Sequence, residues 1–198
     1  GSPHAFHTIG STMICSPVAY AAIGGMNKRK AAEDFYFMEK LSKSYPIIQL
    51  QRGAVYPSSR VSLRVPFGTG QRVHRFLSGE RDEYLLYPPA LFAALRDFHQ
   101  RYYDDTIDPN DLADVVAESH PDIVAFLQSQ GFREAWGKIA ANSKSSVQIR
   151  YQKQIWMDSF RTLKLVHYLR DHAFPMTAMV DALQIFTGRR DVTELEDF

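Results

Sequence analysis

The chain has 198 residues, 45% of them hydrophobic and 23% charged, with a formal net charge of +1. That composition suits one large folded domain, or a domain with an extension, and excludes a disordered chain. The near-neutral balance excludes an overall field that would attract nucleic acid, leaving only local basic patches.

The start, GSPHAFHTIG, lacks Met, and Gly1–Ser2 reads as the scar of a cleaved tag, so a piece of a longer protein is expected. Nothing reads as a signal peptide. Cys15 is the single cysteine, which excludes an internal disulfide framework and points to a reducing compartment. No apolar run approaches the roughly 20 residues of a membrane-spanning helix. The expected location is cytoplasmic, with peripheral attachment to a membrane surface left open.

In chain order, STMIC (11–15) predicts a short strand ending at Ser16–Pro17. PVAYAAIGG predicts a short helix stopped by Gly24–Gly25. Residues 27–30 read as a loop and 31–44 as a helix. PIIQLQ (46–51) predicts a buried strand, followed by an irregular segment over 52–71. From about residue 88 the pattern is almost continuously helical. PPALFAALRDFHQRYYDD carries proline in its first turn, where a missing N–H does no harm. DPNDLADVVAES begins with a helix-start signature, and PDIVAFLQSQG has a clear start and a Gly stop. Residues 145–173 predict one helix, roughly 40 Å long if straight, with Trp156, Phe160, Leu163, Val166 and Leu169 in its apolar stripe. A last helix ends at Gly188. The fold class is therefore α+β and predominantly helical: a partial α/β segment over 1–75, then an all-α extension over 76–198.

The stretch KRKAAEDFYFMEKL (28–41) carries an acidic pair, Glu33–Asp34, at the start of the expected helix. Acidic residues in a first turn are favoured by the helix dipole, which accounts for their presence but not for their direction. At 100° per residue Asp34 shares a face with Phe37, Met38 and Leu41, whereas Glu33 shares the opposite one with Tyr36, Lys40 and Lys43. A carboxylate aimed inward needs partners. Asp34 is thus a helix cap, a member of a buried ion pair, or a base overhanging a cleft.

The ordered set Gly10–Ser11–Thr12–Met13, Gly24–Gly25, Glu33–Asp34 and the following strand resembles the acceptor side of a family-2, GT-A-type glycosyltransferase, over roughly residues 8–75. The resemblance implies transfer of a sugar from a nucleotide-sugar donor to a hydroxyl acceptor, with Asp34 as the base and Glu33 as its neighbour. A single base on the acceptor side implies inversion by in-line attack. Such enzymes hold a divalent metal, Mg or Mn, on an Asp-x-Asp motif in an N-terminal nucleotide-binding half. This chain contains neither that motif nor that half, so no metal is expected to be bound by this segment and the segment alone is expected to be inactive. It also lacks the Gln-x-x-Arg-Trp motif of processive members, which favours transfer of a single sugar.

Other candidates follow from residue type. Arg60 and Arg64 are either donor-diphosphate ligands or surface ion-pair residues. FGTGQR (67–72), with Gly68 and Gly70, could approach a phosphate as a loop, although a lone Gly-x-Gly is a weak signal. His74 is a candidate metal ligand without visible partners. Cys15 reads as a small core residue. The acidic run YYDDTIDPND reads as a solvated loop with helix caps. Lys144, Arg150, Lys153, Arg161, Lys164 and Arg170 read as the solvated basic face of the long helix; nucleic acid is not an expected partner. The helical region serves equally as a homo-oligomer contact or as a platform for a lipid-linked acceptor. The alternative from a different class is a non-catalytic helical protein-interaction module.

Overall fold

Prolines and short polar side chains set where several of the helices begin. The computed structural model describes residues 4, 6–8, 12–28, 32–50, 52–53, 55–56, 69–79 and 84–189. They are predominantly helical, with ten α-helices and one two-stranded sheet among them. Contacts divide the chain into a first unit, His4–Glu83, and a second that holds Tyr84–Phe198.

In the first unit, α1 spans Pro17–Ala22, with Pro17 at its first position. The Ser16 hydroxyl accepts from the Ala19 amide at 3.2 Å, satisfying one of the otherwise unpaired first-turn donors. α2 spans Glu33–Ser42 and α3 spans Thr69–Ser78. The expected boundary at residue 75 falls inside α3. Phe37, Met38 and Leu41 of α2 are buried with Ala19 in a small cluster, with Met13, Cys15, Ile23, Tyr45 and Ile47 packed against it. The helical period of α2 is as the sequence predicts; Cys15, expected in the core, is half-buried against the cluster.

The two predicted strands of this unit do not form. Residues 12–15 and 46–50 join no ladder, and Ile48, expected to be buried, is 83% exposed. A strand needs a hydrogen-bonded neighbour, and the described residues of this unit provide none. Their side chains still alternate at one point: Met13 and Cys15 face the cluster while Ile14 faces water.

The second unit is built around α4, Pro89–Tyr102. Its Leu91, Leu95, Phe98 and Tyr102, spaced four, three and four apart, are buried along one stripe. Around them stand α5 (Leu112–Val115), which continues as a 3₁₀ turn over Val116–Glu118, α6 (Pro121–Ser129), α7 (Phe132–Asn142), α8 (Ser146–Trp156), α9 (Ser159–His172) and α10 (Met179–Thr187). β1 (Leu85–Leu86) pairs antiparallel with β2 (Thr177–Ala178), Leu85 opposite Ala178. Tyr102 is the aromatic hub, with ring centroids of Phe98, Phe132, Trp136 and Trp156 at 5.4, 6.0, 6.2 and 6.5 Å. Gly131, at φ 64°, turns the chain between α6 and α7 in a conformation that only glycine adopts cheaply.

The single helix expected over 145–173 is instead two. The break lies at Met157–Asp158: Met157 leaves helical backbone geometry and is fully buried, and the Asp158 carboxylate accepts from the Arg161 amide at 2.9 Å to start α9. The stripe shifts accordingly. Leu165 and Leu169 are buried while Leu163 is exposed. Replacing Asp158 with Ala is expected to cost about 1 kcal/mol by removing this cap. Chemical denaturation checks it: a loss below a few tenths of a kcal/mol would mean that packing alone sets the break.

Candidate functional site

The acidic pair sits where two backbone devices meet. Gly24 and Gly25 turn the chain after α1 with φ of 73° and 70°. A Cβ at Gly25 would lie 3.0 Å from the Tyr20 ring, so the turn also lets backbone and ring approach closely. Ala32, immediately before Glu33, has φ 58° and is the one non-glycine residue in left-handed geometry among the described residues. That conformation costs about 1–2 kcal/mol for an L side chain. The Lys40 ammonium donates to the Asn27 side-chain oxygen at 2.9 Å, tying α2 to the segment after the glycine turn.

Asp34 accepts from the Phe35 amide at 2.7 Å and makes further interactions. Glu33 and Asp34 are both half-buried, so the expected contrast between a solvated Glu33 and an inward Asp34 is not seen in their exposure. The carboxylate that α2 does bury is Glu39, which pairs with Lys43 one turn on. Glu39 lies off the apolar stripe, and nothing in the period marks it. The pairing explains how its charge is accommodated.

Of the remaining predicted residues, Arg60, Arg64 and Gly68 lie outside the described residues. Gly70 and His74 lie one turn apart on α3. The loop expected over 67–72 is therefore helical from Thr69 onward, because Val73, Phe76 and Leu77 supply helical spacing and no proline interrupts it. Among the described residues no three His, Cys, Asp or Glu side chains converge as a metal site would require.

The second unit holds a cleft of about 350 Å³ that sequence reasoning missed. It lies between the 105–110 loop, the end of α7 and the start of α8, and its polar lining includes Asp105, Asp108, Asn110, Ser145 and Lys153. The acidic run is an exposed loop, as expected, and its own side chains fold it. Asp104 folds the chain by accepting from both the amide and the hydroxyl of Thr106, at 2.8 and 2.6 Å. Those bonds hold its carboxyl below the usual range. Asp105 pairs with Arg150 at 2.8 Å. The Trp136 indole N–H donates to the Pro109 carbonyl at 2.7 Å.

Lys153, expected on a solvated face, has a side chain only 2% exposed. Its ammonium donates to the Asp104 carbonyl at 2.8 Å, and burial pushes its pKa down, partly offset by Asp105 and Asp104. The signal for it was available: Lys153 follows Ile149 by four residues and precedes Trp156 by three, placing it on the buried stripe of α8. Arg161 lies over the Trp156 ring at 4.1 Å. Lys144 and Lys164 remain exposed.

The chain was compared with protein-family models, curated proteins and solved structures, and no match was found in any of the three.

Burial raises the pKa of Tyr102 and of Tyr103. A group whose folded pKa lies above its unfolded value contributes stability that is full below the unfolded value, about 10 for tyrosine, and is lost as pH rises toward the folded one. Lys153 acts in the opposite sense: its depressed folded pKa makes stability grow as pH rises toward about 10.4. Urea midpoints are therefore expected to fall once pH exceeds about 10, and the fall should be shallower in a Tyr102→Phe/Tyr103→Phe variant. Identical slopes in the two proteins would remove the tyrosines from the alkaline transition.

Proposed function

We propose that residues 8–75 form the acceptor side of a GT-A-type glycosyltransferase that moves one sugar from a nucleotide-sugar to a hydroxyl acceptor with inversion. The observation that carries the reading is the start of α2: after a two-glycine turn, a strained Ala32 leads directly into Glu33 and Asp34. Strain of this kind is retained where position matters more than stability. In the proposed reaction the Asp34 carboxylate accepts the acceptor hydroxyl proton as that oxygen bonds to the anomeric carbon. The bond from that carbon to the nucleoside diphosphate breaks on the opposite side.

Glu33 neighbours the base. Arg60, Arg64, Gly68 and Gly70 are assigned to the donor diphosphate. The nucleotide-binding half, with its Asp-x-Asp and its Mg or Mn ion, is assigned to the longer protein, and no step is routed through the metal here. The test is glycosyl transfer by that longer protein. Asp34→Asn is expected to lose turnover at an unchanged melting temperature, and wild-type-like turnover overturns the assignment.

A second reading, a non-catalytic helical interaction module, is favoured by one feature of the second unit. Ile185 and Phe186, on the last turn of α10, are exposed, Phe186 at 77%. Such side chains suit a partner surface.

A further inference from the structure

We propose that the cleft between the 105–110 loop and α8 binds a small aliphatic amino acid, with Lys153 holding its carboxylate and Asp108 its ammonium. The cleft measures about 350 Å³, at the small end of the roughly 300–1,000 Å³ of ligand sites. It lies wholly within the second unit, so the proposal does not rest on the glycosyl-transfer reading.

Lys153 carries the argument. Its side chain is only 2% exposed, yet it lines the cleft. An ammonium has three N–H donors, and here one hydrogen bond is made, to the Asp104 carbonyl at 2.8 Å. Asp105 stands at 3.9 Å, beyond hydrogen-bond reach, and is drawn to Arg150 at 2.8 Å. Buried donors without acceptors are costly, and a ligand carboxylate would satisfy them through charge-assisted bonds. Ser146 and Ile149 share the Lys153 face of α8 at helical spacing and line the same cleft. The Ser146 amide, at the first position of α8, has no partner within the helix, so this wall presents donors.

The loop presents the opposite sign. Oδ1 of Asp108 accepts from the amide and the side chain of Asn110 at 2.8 and 2.9 Å. The Asp108 carboxylate makes no ion pair among the described residues, which leaves its charge for a ligand ammonium. Ile107, Pro109, Ala140 and Ile149 give the cleft an aliphatic lining. A phosphate dianion would be repelled by Asp108 and a diamine by Lys153, and a neutral sugar would leave both charges without a counter-charge. One molecule bearing both charges and an aliphatic side chain matches all three features.

The test is a titration of the whole chain with L-leucine, followed by amide proton–nitrogen correlation NMR. Saturable shifts are expected at Asn110, Ser146 and Ile149. Isocaproate, which lacks the ammonium, and isoamylamine, which lacks the carboxylate, should each bind at least about ten-fold more weakly. Lys153→Met and Asp108→Asn should each weaken leucine binding to a similar extent, whereas Asp34→Asn should bind as wild type does. Lys153→Met also deprives the Asp104 carbonyl of its donor. Should that variant unfold, Asp108→Asn decides, because its side-chain oxygen can still accept from the Asn110 amide. Absence of saturable shifts with leucine overturns the proposal. So does equal affinity for either analogue or for D-glucose, or leucine binding that is unchanged in Asp108→Asn.

Discussion

Asn at position 34 is expected to slow glycosyl transfer by the longer enzyme about 10²–10⁴-fold, the range a positioned general base contributes. That corresponds to roughly 3–5.5 kcal/mol of barrier. The substitution separates the two roles open to Asp34. Asn keeps an oxygen that can accept from the Phe35 amide, now at 2.7 Å, so the local start of α2 survives. What disappears is the charge. For helix stability the charge contributes only about 0.3–1 kcal/mol through the dipole, whereas for a base its loss removes the proton acceptor outright. Glu33→Gln makes the comparison sharper. It removes a charge from the same turn and should leave turnover within a few-fold of wild type. Steady-state rates and melting temperatures of the two variants decide the matter. Equal losses in both would mean that the pair acts through the helix start, and a large drop in melting temperature for Asp34→Asn alone would make Asp34 structural. A base also leaves a kinetic mark, an acidic limb in the pH profile of kcat/KM, which the Asn variant should lack.

What the sequence revealed about the fold depended on whether the deciding interaction was local. The stripe of Phe37, Met38 and Leu41, the proline starts of α4 and α6 and the glycine after α10 all follow from period and capping within a few residues. The break at Met157–Asp158 was legible in principle, since an Asp followed by Ser159 and an apolar-periodic run is an N-cap signal, but a continuous apolar pattern outweighed it. The strands expected at 11–15 and 46–51 depended on partners elsewhere in space. Apolar runs of that length do not reveal whether a neighbour will pair with them. The same limit applies to the candidate site. Glu33 and Asp34 could be singled out because chemistry and period meet in one turn. The cleft around Lys153 could not, because Asp104 and Lys153 lie 49 residues apart and meet only through the tertiary fold, where the Tyr102 hydroxyl at the end of α4 also donates to the Lys153 carbonyl.

The second unit turns on Trp136, and replacing it with Ala is expected to cost about 3–5 kcal/mol. The ring is 1% exposed and lies against Tyr102 and Phe132 at 6.2 and 6.0 Å. Truncation therefore leaves a cavity at the aromatic hub. It also removes the indole donor from the Pro109 carbonyl, which holds the loop carrying Asp105 and Asp108. A unit of this size has a total stability of roughly 5–15 kcal/mol, so the Ala variant should be marginally folded. Trp136→Phe retains most of the apolar volume but lacks the N–H. Its loss should be nearer the roughly 0.5–1.5 kcal/mol of one net hydrogen bond, because the Pro109 carbonyl is only partly buried, and the difference between the variants isolates the packing contribution. Urea unfolding followed by circular dichroism measures both. Limited proteolysis should cut first within 104–110, because that loop loses its tie to α7 in either variant. A Trp136→Ala protein within about 1 kcal/mol of wild type, inside the range of ordinary substitutions, would show that the hub repacks around the gap and that Trp136 is not what fixes the loop.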